Sequence, residues 1–275
     1  MNKFHRYLTS VGPALKRFQF AYDIGDGQDG WLEWIESLLN ASQCRDLESA
    51  YLNWKETPAK PFWPDGDQWS SEDYNELMHR HRHRQRQFVK FLEFFACRAP
   101  NISKLVMPFD WSAKSVTVLM TLRCLRTLVL EKYFVFQALD QSLLDMLIRS
   151  LPLLKELMIE VWTPSGSGLL FYTIQSSTLE YVDISQSRGF FLREVDLPNV
   201  RVFKAGRHPW NGPLVMADSV RIPCIYQVLS EGAPNLQQIN EHALHKDWRE
   251  HQYDELNLIL KAMCSCHQHK RGWML

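Results

Sequence analysis

One spacing constrains this chain more than anything in its composition. An apolar residue is followed three and five positions later by two more, and the pattern recurs from one end to the other. It stands out in Leu151 to Val161, L-P-L-L-K-E-L-M-I-E-V, through Leu154, Leu157 and Ile159. The last two of each triplet alternate at period 2, as in a half-buried strand. Further copies are Leu125, Leu128 and Leu130; Ile102, Leu105 and Met107; Leu179, Val182 and Ile184; and Val200, Phe203 and Ala205. Looser copies are Leu15, Phe18 and Phe20; Leu47, Ala50 and Leu52; and Leu236 with Ile239.

From Leu15 to Leu236 the first anchors lie 32, 55, 23, 29, 25, 21 and 36 residues apart. A leucine-rich repeat has a period of roughly 20 to 29 residues, and the longer intervals read as insertions. Proline stands two positions before the anchor at Pro13, Pro100, Pro152, Pro198 and Pro234. It is expected to end each preceding helix, which it cannot continue. The expected fold class is α/β: a leucine-rich-repeat solenoid of irregular strand-helix units, with a curved parallel sheet and helices on its convex side. Residues 1–275 would form one stack, with an inserted aromatic and Pro-rich loop and a long helix at 55–98 and a capping segment at 241–275.

The first unit begins abruptly at Leu15, so a covering segment is expected upstream, since a solenoid's open end is normally capped. Trp31, Trp34, Ile35, Leu38 and Leu39 recur at helical spacing, with Asp29 as N-cap. Thr57 to Trp69 holds Pro58, Pro61, Pro64, Phe62, Trp63 and Trp69, an aromatic clasp or an exposed binding loop. Ser70 and Asp73 start a long helix carried by Tyr74, Leu77, Phe88, Phe91, Leu92 and Phe95. Its H-R-H-R-H-R run, His79 to Arg84, alternates at period 2 and so winds around a helix, which reads as a solvated face. Asp140 should cap a helix that turns Leu143, Leu144, Leu147 and Ile148 inward.

In units of this kind the anchors point inward, and the residues between them form the exposed strand face. Counting by alternation puts Glu131, Glu156, Met158, Glu160, Tyr181, Asp183 and Lys204 on it. With strands about 4.8 Å apart, four acids would gather on three neighbouring strands beside Met158 and Tyr181. The expected ligand is a protein substrate presenting a basic segment.

Charge balance sets limits on other partners. Lys plus Arg equals Asp plus Glu at 31 each, so nothing global draws the chain to nucleic acid or to an anionic membrane, and neither is an expected partner. No apolar run approaches the ~18 residues a membrane span needs. Scattered cysteines, three of them near anchors, fit a reduced compartment, and the expected location is cytoplasmic and/or nuclear. Cys264, Cys266, His267 and His269 lie within six residues, too close together for all to reach one tetrahedral zinc ion, so they are weak metal candidates. No cofactor is expected. Catalysis is not expected either: Gly166 to Gly168 lacks the strand, Lys and helix of a phosphate loop, and no G-x-S-x-G elbow or Cys/His nucleophile pair is present.

The irregular units, the L-P-x-L-K-x-L and A-P-N-I/L phrases and the high Trp and Cys usage resemble the leucine-rich half of F-box proteins from about Val11 to Asn240. That resemblance implies a substrate receptor of an SCF ubiquitin ligase, in which the solenoid captures the substrate and an N-terminal F-box binds Skp1. The stretch before Leu15 is too short for an F-box of some forty residues, so Skp1 and cullin are expected partners only if an F-box lies upstream in the full-length protein. The alternative is a stand-alone leucine-rich-repeat scaffold or adaptor.

Overall fold

The recurrent turn before each anchor explains most of the architecture. In the computed structural model, residues 15–24, 44–56, 71–132, 139–161, 170–187, 190–205, 216–217, 220–221 and 225–245 are described. At Ala99–Ile102, Leu151–Leu154, Leu197–Val200 and Ala233–Leu236, the anchor's N–H donates to the carbonyl three residues earlier, at 3.1 to 3.3 Å. Pro100, Pro152, Pro198 and Pro234 therefore occupy the second position of a β-turn, for which their fixed φ is suited. Described helices do end at Arg98, Ser150 and Gly232, two residues before Pro100, Pro152 and Pro234, while Pro198 follows a strand. Cys44–Leu47 and Leu122–Leu125 close the same turn without proline, and at Leu179 the Ser176 hydroxyl accepts in place of the carbonyl. The turn's first residue is buried at Cys44, Ala99, Leu122, Leu151, Leu197 and Ala233.

The chain divides into two compact units, Met1–Phe134 and Val135–Leu275. In the first, β1 (Arg17–Ile24), β2 (Ser49–Glu56), β3 (Lys104–Phe109) and β4 (Thr127–Lys132) pair in parallel in chain order. The register aligns the middle anchors, Phe18 with Ala50, Ala50 with Leu105 and Leu105 with Leu128. Between β2 and β3 runs α1 (Ser71–Arg98), and between β3 and β4 the short α2 (Ala113–Leu119). Phe88, Phe91, Leu92 and Phe95 bury one side of α1, and Phe88 meets Phe109 edge-on at 6.1 Å. Ser112 caps α2, its Oγ accepting from the Ser115 N–H.

In the second unit, Asp140 caps α3 (Gln141–Ser150) and accepts from the Ser142 N–H at 2.7 Å. Leu144, Leu147 and Ile148 are buried there as the spacing predicts, while Leu143 is half-buried. The parallel strands β5 (Glu156–Ile159), β7 (Tyr181–Asp183), β9 (Val202–Lys204) and β12 (Gln238–Ile239) align Leu157, Val182, Phe203 and Ile239. The short β13 (His242–Ala243) folds back antiparallel on β12, and β10 (Met216–Ala217) pairs with β11 (Val220–Arg221).

Helices do not fill every connection of this unit. β6 (Leu170–Gln175) lies between β5 and β7, β8 (Phe190–Asp196) lies between β7 and β9, and the two pair with each other in parallel. The anchor intervals here are short, and F-Y-T-I and F-F-L-R-E-V are rich in the β-branched and aromatic residues that favour strands. Tyr172 stacks on Phe190 at 4.2 Å. Gln141 then pairs its amide with the Thr173 backbone at 2.9 and 2.8 Å, mimicking a strand on the outer edge of β6. After β11, α4 (Ile225–Gly232) packs on β8, and Gly232 comes so near Val195 that a Cβ there would meet its carbonyl oxygen at 1.8 Å.

Every anchor from Leu47 to Ile239 is buried, whereas Leu15 and Phe18 of the first copy are half-buried. The helix expected over Trp31 to Leu39, the Thr57–Trp69 loop, the helix start at Ser70 and the segment after His245 lie outside the described residues.

Candidate functional site

The face between the anchors is set by the strand register. In the second unit one row runs Glu156, Tyr181, Val202 and Gln238, and the next runs Met158, Asp183 and Lys204. Five of the seven predicted residues therefore stand together on three adjacent strands. Glu160 follows β5 directly and is half-buried. Glu131 belongs to the first unit, where it is half-buried on β4 opposite Pro108.

The residues of this face differ in availability. Glu156 is exposed, and Met158, Tyr181 and Lys204 are half-buried. Asp183 is only 7% exposed. Its Oδ2 accepts the Tyr181 hydroxyl at 3.1 Å and its Oδ1 the Ser185 N–H at 2.8 Å, so the carboxylate is held by its own neighbours. Burial, then the charge and hydrogen bond of Asp183, then the charges of Glu156 and Glu241, push Tyr181 up to about 12. The phenol therefore stays a neutral donor at any physiological pH.

Glu241 is a member of this group that counting by alternation misses, because it follows the last weak repeat in a turn. It is exposed and its Oε1 lies 3.7 Å from Lys204 Nζ, a pair worth little in stability at such exposure. The same count over the copy at Leu236 and Ile239 places Gln238 and Asn240 on this face as well. Asn240, at φ 55°, accepts the Ala205 N–H at 2.8 Å and ties the turn to the end of β9. The result is an acid-rich surface with one lysine and a half-buried tyrosine and methionine at its middle.

In the first unit the equivalent face is more closed. Val106 and Pro108 are buried, Val106 lying in register between Tyr51 and Val129. Arg17, Gln19 and Lys104 are exposed on the same face. Just past β3, Asp110 is buried; its Oδ1 accepts from Ser112 N and Oγ at 3.2 and 3.3 Å, while Oδ2 has no hydrogen-bond partner among the described residues. Trp111 follows at φ 52°, its indole N–H buried and likewise without a partner among the described residues.

Among the described residues no cluster of three His, Cys, Asp or Glu is placed to hold a metal ion, and no helix is long and apolar enough to cross a membrane. Cys264, Cys266, His267 and His269 lie outside the described residues. Compared with known proteins, the chain matches no protein-family model and no curated protein.

Proposed function

We propose that this chain is a leucine-rich-repeat solenoid and serves as the substrate-recognition part of an F-box-type SCF ubiquitin ligase receptor, in protein ubiquitination and degradation. One observation supports the repeat reading above all. Six times, two successive N–H groups just after an anchor converge on one carbonyl just after the previous anchor, as Glu180 and Tyr181 do on Lys155 at 2.7 and 3.0 Å. A chain that repeats one backbone device between successive copies buries its core by stacking. Within each unit it thereby presents the residues between anchors as a binding surface.

On this reading the captured protein presents a basic segment to Glu156, Glu160 and Glu241, with Tyr181 and Met158 as the contact that excludes water. Skp1 and cullin are partners only if an F-box lies upstream in the full-length protein, and the site of action is cytoplasmic and/or nuclear. A non-catalytic scaffold without ubiquitin function is the second reading, favoured by the same surface. Immunoprecipitation of the endogenous protein through residues 264–275, probed for Skp1 and cullin, separates the two. Both present at stoichiometric amounts supports the receptor; a substrate retained with neither overturns it.

A further inference from the structure

The basic run on α1 winds around the helix, yet part of it falls on one face. Among its described side chains, His79, Arg82, His83 and Arg86 are exposed, and Lys90 one turn further on is exposed too. Their offsets of 3, 4, 7 and 11 residues place them on one helix face, a stripe about 16 Å long at 1.5 Å per residue. The opposite side carries the buried Phe88, Val89, Phe91 and Leu92, so the orientation of the stripe is fixed by the core. No Asp or Glu occurs between Leu77 and Leu92. Among the described residues the Arg86 Nε donates to the Arg82 backbone carbonyl at 3.2 Å, and the guanidinium has four further N–H donors.

We infer that this face of α1 docks the phosphate backbone of a nucleic acid. A protein partner is usually held by an apolar core with a polar rim, but no apolar side chain is exposed among the described residues of this stripe. A contact made through charge alone suits a polyanion. Arginine forks bind phosphate oxygens in pairs. The stripe offers no aromatic platform on which bases could stack, so the contact reads backbone and not sequence. The neutral overall charge of the chain hides this local excess.

The test uses the whole chain with fluorescein-labelled 20-base-pair duplexes of random sequence, one DNA and one RNA, followed by anisotropy at pH 7. Three permanent cations, Arg82, Arg86 and Lys90, predict an affinity loss of about 40-fold between 50 and 200 mM salt. R82E/R86E should weaken binding at least tenfold and R82Q/R86Q by less. R149E/R193E, an equal charge change at exposed sites in the other unit, should leave it within twofold. Unchanged urea midpoints would show that the variants remain folded. Binding of either duplex supports the inference, and preference between them identifies the source of the phosphate. No binding at 50 mM salt, binding indifferent to R82E/R86E, or equal affinity for a labelled polyglutamate peptide would overturn it.

Discussion

The Nδ2 of Asn199 donates to the carbonyl of Ser177 at 2.6 Å, linking one turn to the turn before it. Asn235 makes the same bond to Pro198 at 2.7 Å and Asn101 to Arg45 at 3.3 Å. In each case the asparagine directly precedes an anchor, and its acceptor lies two residues before the previous one. Asn199→Ala should lower stability by about 1 kcal/mol, read as a lower urea midpoint at unchanged slope. Asn199→Asp should cost at least as much, since a carboxylate cannot donate; a neutral Asp variant would show that the bond contributes nothing.

Removing the Tyr181 hydroxyl should damage the fold more than the exposure of tyrosine suggests, because Asp183 is buried and would lose one of its two hydrogen-bond donors. Tyr181→Phe is expected to cost about 1–3 kcal/mol at neutral pH. At alkaline pH the sign is also fixed. The folded phenol keeps its proton up to about 12 while the unfolded one loses it near 10, so its contribution declines as pH rises through that interval. Ultraviolet titration of wild type against Tyr181→Phe measures it, although Tyr172, also pushed to about 12, remains in both.

Asp110 gives the acid counterpart. Burial raises its carboxyl above the ordinary 3.8, against the opposing hydrogen bonds from Ser112. The folded state then holds the proton longer than the unfolded chain, so this group makes stability fall as pH climbs from about 4 through the raised value. Asp110→Asn should remove that falling component from a plot of urea midpoint against pH between 4 and 7. An unaltered plot would mean that Asp110 is as well solvated as a surface carboxylate.

Gly232→Ala should destabilise by about 3 kcal/mol, measured by thermal or urea unfolding. The added Cβ would fall 1.8 Å from a backbone oxygen of β8, and the Gly232 carbonyl is itself the acceptor of the Leu197 N–H at 2.8 Å. Neither partner is a flexible side-chain end that can move aside.

The anchors were legible because burial at fixed spacing leaves a direct trace in residue type, from Leu47 through Ile239. The proline phrases were legible as helix ends, but their second role was not: a residue unable to continue a helix is equally one suited to the second position of a turn, and only the bond from Ile102 N to Ala99 O reveals it. β6 and β8 were hidden because short aromatic runs such as Phe190 and Phe191 carry no helical or alternating signature strong enough to exclude either element. On the candidate face, alternation placed Tyr181 and Lys204 but could not show that Asp183 would be consumed by its own neighbours. Glu241 sits in a turn that period-2 counting does not reach.

The turn before each anchor has a consequence for how such a chain tolerates change. Because β2, β3, β4, β7, β9 and β12 are each phased anew by the carbonyl just behind the previous anchor, an error of length in one of their connections is not carried into the next. Sequence between Glu56 and Ser71 can lengthen or shorten while Ser103 and Lys104 still begin their strand on the same atom, the Glu48 oxygen. A single residue inserted between Ile102 and Leu105 would instead turn the rest of that strand inside out. The connections are thus open to variation, and a handful of positions around each turn keep the molecule in step.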